Sequence, residues 1–86
     1  MLMALLAAAS HVAGDGSDGR CTADRGVRGF VGAHATSSAI ERARRASGAR
    51  TVRAYRTGTP ITQDRRDDRL NIATNKRGRI VAVRCF

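Results

Sequence analysis

Tryptophan is absent from these 86 residues, and Phe30, Tyr55 and Phe86 are the only aromatic side chains. Large rings therefore cannot fill a core, which falls to Ile, Val, Leu and Ala. The same scarcity removes the stacked aromatic platform that single-stranded nucleic-acid binders use. Cysteine occurs twice, at Cys21 and Cys85, without a CxxC pair or a Cys/His cluster of zinc-ligand spacing. No metal and no cofactor are expected. No catalytic set is legible either. His34 is the one histidine in the body of the chain and reads as an exposed loop residue. Asp67 and Asp68 are adjacent, so on extended chain they face opposite ways and cannot work as a carboxylate pair. A phosphate-binding glycine motif is missing. The apolar run from Met1 to Val12 is too short to span a bilayer, so stable membrane insertion is not expected.

Acidic residues are also few: 7 against 16 basic ones, for a net charge of +9, and Lys76 is the only lysine. Such an excess attracts nucleic acid or an acidic partner in one reading. In the other it is a solvated basic surface. The arginines are spread from Arg20 to Arg84 without forming a block, and no aromatics interleave them. That distribution favours the solvated surface and no nucleic-acid partner.

The chain is long enough for one domain. Residues 1–20 differ from the rest. Met1 to Val12 has the character of a signal-peptide h-region with a cleavage region near Ala13, although no basic residue precedes it; the alternative is a short exposed helix. Gly14 to Gly19 has the composition of a flexible linker. The expected organisation is a signal peptide or disordered leader over 1–20 and a folded domain over 21–86. A body that small buries a thin core and needs a staple. A Cys21–Cys85 disulfide closes a loop of about 64 residues, worth roughly 4 kcal/mol in the chain-entropy model. The alternative is two unrelated buried thiols. A persistent disulfide implies a secreted or periplasmic protein.

Within the body, Phe30 and Val31 sit between Gly29 and Gly32 and are expected to plug one end of the core. Ser38 to Glu41 has capping-box form, so a helix is expected from Ser38, with Ala39, Ile40, Ala43 and Ala46 on one face and Gly48 as its stop. Val52 and Ala54 alternate with polar neighbours as on a half-buried strand. Thr57 to Asp68 is polar, holds the only proline, and is long for a connection in so small a domain, which marks it as functional or disordered. Leu70, Ile72 and Thr74 resume a period of two, Asn75 to Gly78 reads as a tight turn, and Ile80 to Cys85 as a last strand. Leu70 to Cys85 is then an antiparallel hairpin. The fold class is α+β: one helix on a small mixed β-sheet, with a long extended loop.

The run Gly58 to Ile72 resembles the reactive-loop segment of the potato inhibitor I and eglin superfamily. The whole body is more similar to peptidase inhibitor family seventy-eight, small bacterial and fungal inhibitors typified by a fungal elastase inhibitor. The matching residues are Cys21, the Gly32 to Gly48 region, Val52-Arg53, Thr62-Gln63-Asp64, Asp68-Arg69-Leu70-Asn71, and Gly78 with Ile80, Val83 and Cys85. The chain departs from that pattern at Arg65 and Asp67, where an aromatic and a proline are common, and at Phe86, where a glycine often follows the cysteine.

The resemblance implies a potato inhibitor I-like fold and an inhibitor of serine peptidases, not an enzyme. It puts Gln63 at the primary specificity position and makes Gln63-Asp64 the scissile-like bond. Ile61, Thr62, Arg65 and Arg66 complete the reactive loop. Pro60 biases Thr59 towards extended geometry. Arg69 and Asn71, two apart and so on one face of the next strand, are expected to support Thr62 and Asp64 from beneath, an Asp64–Arg69 bond being the strong version. The implied partner is an extracellular or periplasmic serine peptidase, subtilisin-like first because its broad pocket tolerates Gln, with chymotrypsin- and elastase-type enzymes next. A slipped register offers Arg65 or Arg66 to a trypsin-like enzyme. Nothing in the sequence demands more than a monomer. The competing readings are a small basic nucleic-acid-binding domain and a non-inhibitory interaction module.

Overall fold

A computed structural model of the chain describes residues 19–62 and 64–86. All but the last two residues of the expected leader, and Gln63, lie outside the described residues. The elements are α1 (Arg25–Arg28), α2 (Ser37–Ser47), β1 (Thr51–Arg56), β2 (Arg69–Thr74) and β3 (Ile80–Cys85).

The strands form one sheet in the order β1-β2-β3. β1 pairs parallel with β2, from Thr51 opposite Arg69 to Arg56 opposite Thr74. β2 pairs antiparallel with β3, Ile72 facing Val83 and Asn71 facing Arg84. The hairpin between them is tied by Asn75, whose Oδ1 accepts from the amides of Arg77 and Arg79 at 2.9 and 3.0 Å. Gly78 turns the chain at φ +79°, a conformation that side chains disfavour.

One face of the sheet carries the core. Leu70, Ile72, Ile80 and Val83 pack against Val27, Ala43 and Ala49, with Phe30, Ile40, Val52 and the two cysteines around them. The expected single helix is joined by a second, short one. Asp24 caps α1 by accepting from the amides of Gly26 and Val27, and so drives Val27 fully into the core. Four residues give no period to read, which is why the sequence did not announce it.

α2 starts earlier than its capping-box pattern suggests. Thr36 is the cap, its Oγ1 accepting from Ala39 N at 3.0 Å. Glu41 does not reach back, because Arg44 and Arg45 hold its carboxylate at 2.6 and 3.1 Å. The buried positions are Ala39, Ala43 and Ser47, with Ala46 turned to solvent. Ser47 tolerates burial because its hydroxyl donates to Arg44 O and accepts from Ala49 N. Gly48, at φ +79°, ends the helix as expected. Phe30 packs on the core but Val31 is 46% exposed. The amide of Gly32 is bonded to Ile80 O at 2.7 Å, which swings its neighbour Val31 outward. His34 is an exposed bridge partner of Arg79.

Cys21 and Cys85 are joined in a disulfide that ties the start of the described fold to the end of β3. A Cys21→Ser/Cys85→Ser variant is expected to lose about 4 kcal/mol of unfolding free energy. Urea denaturation monitored by circular dichroism measures it; an unchanged midpoint contradicts the staple's importance.

Candidate functional site

β2 is buried along Arg69, Leu70, Asn71, Ile72 and Ala73 without alternation. An amphipathic strand with one wet face does not read this way. The helices and core cover Leu70 and Ile72; the chain segment Thr57 to Asp68 covers Arg69 and Asn71. Parallel strands need a connection of about a dozen residues to carry the chain back to the starting end of the sheet. Here that connection has no helix of its own, and it lies across the polar face.

Both roots of the segment are fixed by main-chain bonds. At the first, Thr57 N donates to Thr74 O at 2.8 Å, and Thr59 N to Arg56 O at 3.0 Å around Gly58, whose φ is +89°. At the second, Arg66 N donates to Phe86 O at 2.6 Å and Cys21 N to Asp67 O at 2.7 Å. The amides of Arg50 and Thr51 both donate to Asp68 O, at 2.9 and 3.1 Å. The Asp68 carboxylate takes two bonds from Arg66, each 3.1 Å, with Arg50 at 3.6 Å. Arg66, then Arg50, holds the Asp68 carboxyl below its ordinary range.

Between the roots, side chains do the holding. Asn71 Oδ1 accepts from Arg53 Nε at 2.8 Å. Arg53 Nη1 donates to Thr62 Oγ1 at 2.7 Å, and the Thr62 hydroxyl donates in turn to Asp64 Oδ1. From the other side Arg69 Nη1 donates to Asp64 Oδ2 at 3.3 Å, and its Nη2 to Asp64 O and Phe86 O at 3.1 and 3.2 Å. The Arg53 guanidinium also stands 5.9 Å from the centre of the Phe86 ring. Each donor in this relay polarises the next, and Asp64 closes it from both ends. Its carboxyl is accordingly held below the usual carboxylate range, first by the Thr62 hydroxyl and then by Arg69.

Ile61 is half-buried, and Thr62, Asp64, Arg65 and Arg66 are exposed. Among the described residues, the amides of Ile61, Thr62, Asp64 and Arg65 donate to no backbone carbonyl. The Asp64–Arg69 contact anticipated from the sequence is present. Among the described residues Asn71, 1% exposed, is linked to the loop by hydrogen bonds through Arg53. Arg53 and Phe86 were missed as supports. Arg53 had a signal: it stands opposite Asn71 in the parallel register and belongs to the Val52-Arg53 pair noted above. Phe86 had none, since its carbonyl does the work. An open groove of about 590 Å³ beside the second root is lined by Arg65, Arg66, Asp67, Asp68, Cys85 and Phe86.

A model of the peptidase inhibitor I78 family matches residues 21–86. The chain belongs to that family. Among solved structures, this I78 domain is similar to the elastase inhibitor AFUEI, with a TM-score of 0.55 and 24% identity over 66% of this chain and 78% of that one. At that identity the likeness speaks for the α+β fold. No curated protein matches the chain. As an I78 member it is a peptidase inhibitor and not an enzyme.

The Asp64 carboxyl titrates lower in the folded domain than its ordinary 3.8, so its support of the loop is complete above that value. It is lost as pH falls through the lowered folded value. Backbone order across Thr62 to Asp68, read from NMR order parameters, should therefore fall at acid pH, and Asp64→Asn should abolish that step. An acid step of equal size in Asp64→Asn contradicts the assignment. Separately, Arg69→Met keeps the buried stem but removes three charge-assisted donations. It should lower the NMR order parameters of the loop backbone from rigid values of about 0.85 towards about 0.6 at pH 7 while leaving α2 unchanged.

Proposed function

We propose that this domain inhibits serine peptidases by offering Ile61 to Arg66 to the enzyme as a substrate-like strand. The observation that carries the reading is the division of labour in the loop. Its roots and its down-facing side chains, Thr62 and Asp64, are tied to the sheet, while among the described residues the amides of Ile61, Thr62, Asp64 and Arg65 donate to no backbone carbonyl. Neighbours on extended chain face opposite ways, so with Thr62 and Asp64 held from beneath, Ile61 and Arg65 are offered to the enzyme. Those amides suit pairing with an edge strand in a peptidase cleft. A segment already held in shape loses little entropy on docking, so affinity rises.

Gln63 is assigned to the primary pocket and Gln63-Asp64 to the scissile-like bond. Subtilisin-like enzymes are the first candidates, because a broad pocket accepts an amide side chain. The printed description of AFUEI as an elastase inhibitor makes elastase the next enzyme to test. A second register is favoured by one observation. Arg65 is exposed and its side chain has no ion pair or hydrogen bond among the described residues, so a trypsin-like enzyme could take it instead. A persistent disulfide supports an oxidising compartment, secreted or periplasmic, and on this reading residues 1–20 are the export signal or leader. It acts as a monomer.

Titration of active subtilisin, elastase and trypsin should give a stoichiometric end point for at least one of them. DNA binding that weakens steeply with salt, with all three enzymes untouched, supports the nucleic-acid alternative instead. Gln63→Leu should tighten inhibition of subtilisin or chymotrypsin by about tenfold, since an apolar pocket gains buried area. No change argues for a different register.

A further inference from the structure

The arginines are spread along the sequence, but the register of the sheet gathers several basic residues at one end. β1 and β2 run parallel and β3 returns, so the ends of β1 and β2 lie beside the start of β3. Arg56 closes β1 opposite Thr74 of β2, and Lys76, Arg77 and Arg79 follow between β2 and β3. All four are exposed. Among the described residues none of them pairs with a carboxylate. The connection that carries three of them is held in shape. Asn75 Oδ1 accepts from the amides of Arg77 and Arg79, and Ala35 N donates to Gly78 O at 2.8 Å.

At the other end of the sheet arginines are matched by carboxylates: Arg69 by Asp64, and Arg66 and Arg50 by Asp68. Strands of six residues, at about 3.3 Å per residue, set the two ends roughly 17 Å apart. Charge is thus partly compensated at one end and uncompensated at the other. Two valines join the uncompensated end. Val31 and Val81 are the exposed large apolar side chains of the described residues, at 46% and 41%. Each is the chain neighbour of one partner in a single bond, Gly32 N to Ile80 O at 2.7 Å. Arg79 Nη1 donates to Gly32 O at 2.8 Å, which brings a cation to the same place.

We propose that this end of the sheet docks on an anionic lipid bilayer. Arg56, Lys76, Arg77 and Arg79 meet the headgroup phosphates, and Val31 and Val81 enter the boundary between headgroups and acyl chains. Nothing crosses the bilayer. A nucleic acid or a soluble polyanion uses the cations but gives the valines no apolar partner, so the lipid surface is the better fit. The uncompensated end is the one such a surface attracts most strongly, which turns Asp64 to Asp68 away from it. On the inhibitory reading given above, the loop then stays open to a peptidase while the domain is held at a membrane. That consequence rests on the reading; the docking does not.

Sedimentation of the full chain with vesicles tests the docking. The vesicles are phosphatidylcholine alone, or an equal mixture with phosphatidylglycerol. Met1 to Val12 carries no lysine, arginine or carboxylate, so any binding of its own raises both alike. The mixed vesicles should bind more tightly, and the gain should shrink as salt rises. Each Lys or Arg at such a surface strengthens binding about fivefold, so Arg56→Gln/Lys76→Gln/Arg77→Gln should lose on the order of a hundredfold. Arg25→Gln/Arg65→Gln/Arg84→Gln removes the same charge from exposed arginines elsewhere and should lose less than about tenfold. Both variants should keep the parent's circular dichroism, since none of the six side chains makes an ion pair or hydrogen bond among the described residues. No preference for the mixed vesicles, or equal losses in the two variants, overturns the proposal. A lipid spin-labelled at its headgroup should broaden the methyl signals of Val31 and Val81 and the amides of Lys76 to Arg79, and spare those of Asp64 to Asp68. Broadening at the loop instead overturns it, as does equally tight binding to soluble polyphosphate with no response at the valines. Vesicle-bound protein should still titrate the peptidase that the free protein inhibits. Failure only when bound overturns the outward placing of the loop; failure of the free protein strikes the preceding section and leaves the docking tests standing.

Discussion

Because β1 and β2 run parallel, the chain must travel back along the length of the sheet before β2 can begin. In larger α/β folds a helix makes that journey and buries an apolar stripe. Here the connection is polar and irregular, and every feature of the site follows from how such a segment is kept in place. It cannot be held by hydrophobic burial, since it has only Ile61 to bury and that only in part. It is held by hydrogen bonds at its roots and by the charged underside of the sheet.

That underside is an unusual use of a central strand. β2 buries Asn71 as completely as it buries Leu70 and Ile72, and Arg69 to within 9% exposure. Burial of a guanidinium is costly unless its donors find acceptors. Arg69 meets the condition at its two terminal nitrogens, through Asp64 and Phe86 O, which brings the residue after β3 into the same seat, while its Nε has no partner. A lysine could not replace it, because one ammonium cannot serve three acceptors set along the edge of a planar fork. Arg53 needs Asn71 to orient it before it can reach Thr62. Loop shape is therefore a property of a linked group spread over three strands, and removing one member disturbs the rest.

Much of this was legible. The helix with its Gly48 stop, the hairpin through Asn75 to Gly78, the mixed sheet and the Asp64–Arg69 contact all follow from period, turn chemistry and motif spacing. Three features were not. α1 is too short to carry a period. The start of α2 moved because Thr36 competes with Ser38 for the cap, and Glu41 has two arginines closer to hand than its own helix start. Burial of Arg69 and Asn71 runs against their polarity and depends on a long-range contact, the loop lying over them. The role of Arg53 is of the same kind, since strand alternation alone does not say what covers the face on which a residue falls.

The distribution of carboxylates ties charge to mechanics. Among the described residues they are Asp24, Glu41, Asp64, Asp67 and Asp68. Asp24 caps α1, Glu41 binds two arginines of α2, and Asp64 and Asp68 each fasten part of the loop. In a chain with so large a basic excess, an arginine is fixed only where a carboxylate or a carbonyl is placed to receive it. The scarce acceptors are concentrated where an irregular segment has to be stiff. An apolar core this small could not have supplied that stiffness: side-chain packing is non-directional, whereas a guanidinium held between two fixed acceptors sets both a distance and an angle. Rigidity is in this way separated from overall stability. The disulfide and the apolar face supply the stability, and the arginine–carboxylate relay beneath the loop supplies the rigidity.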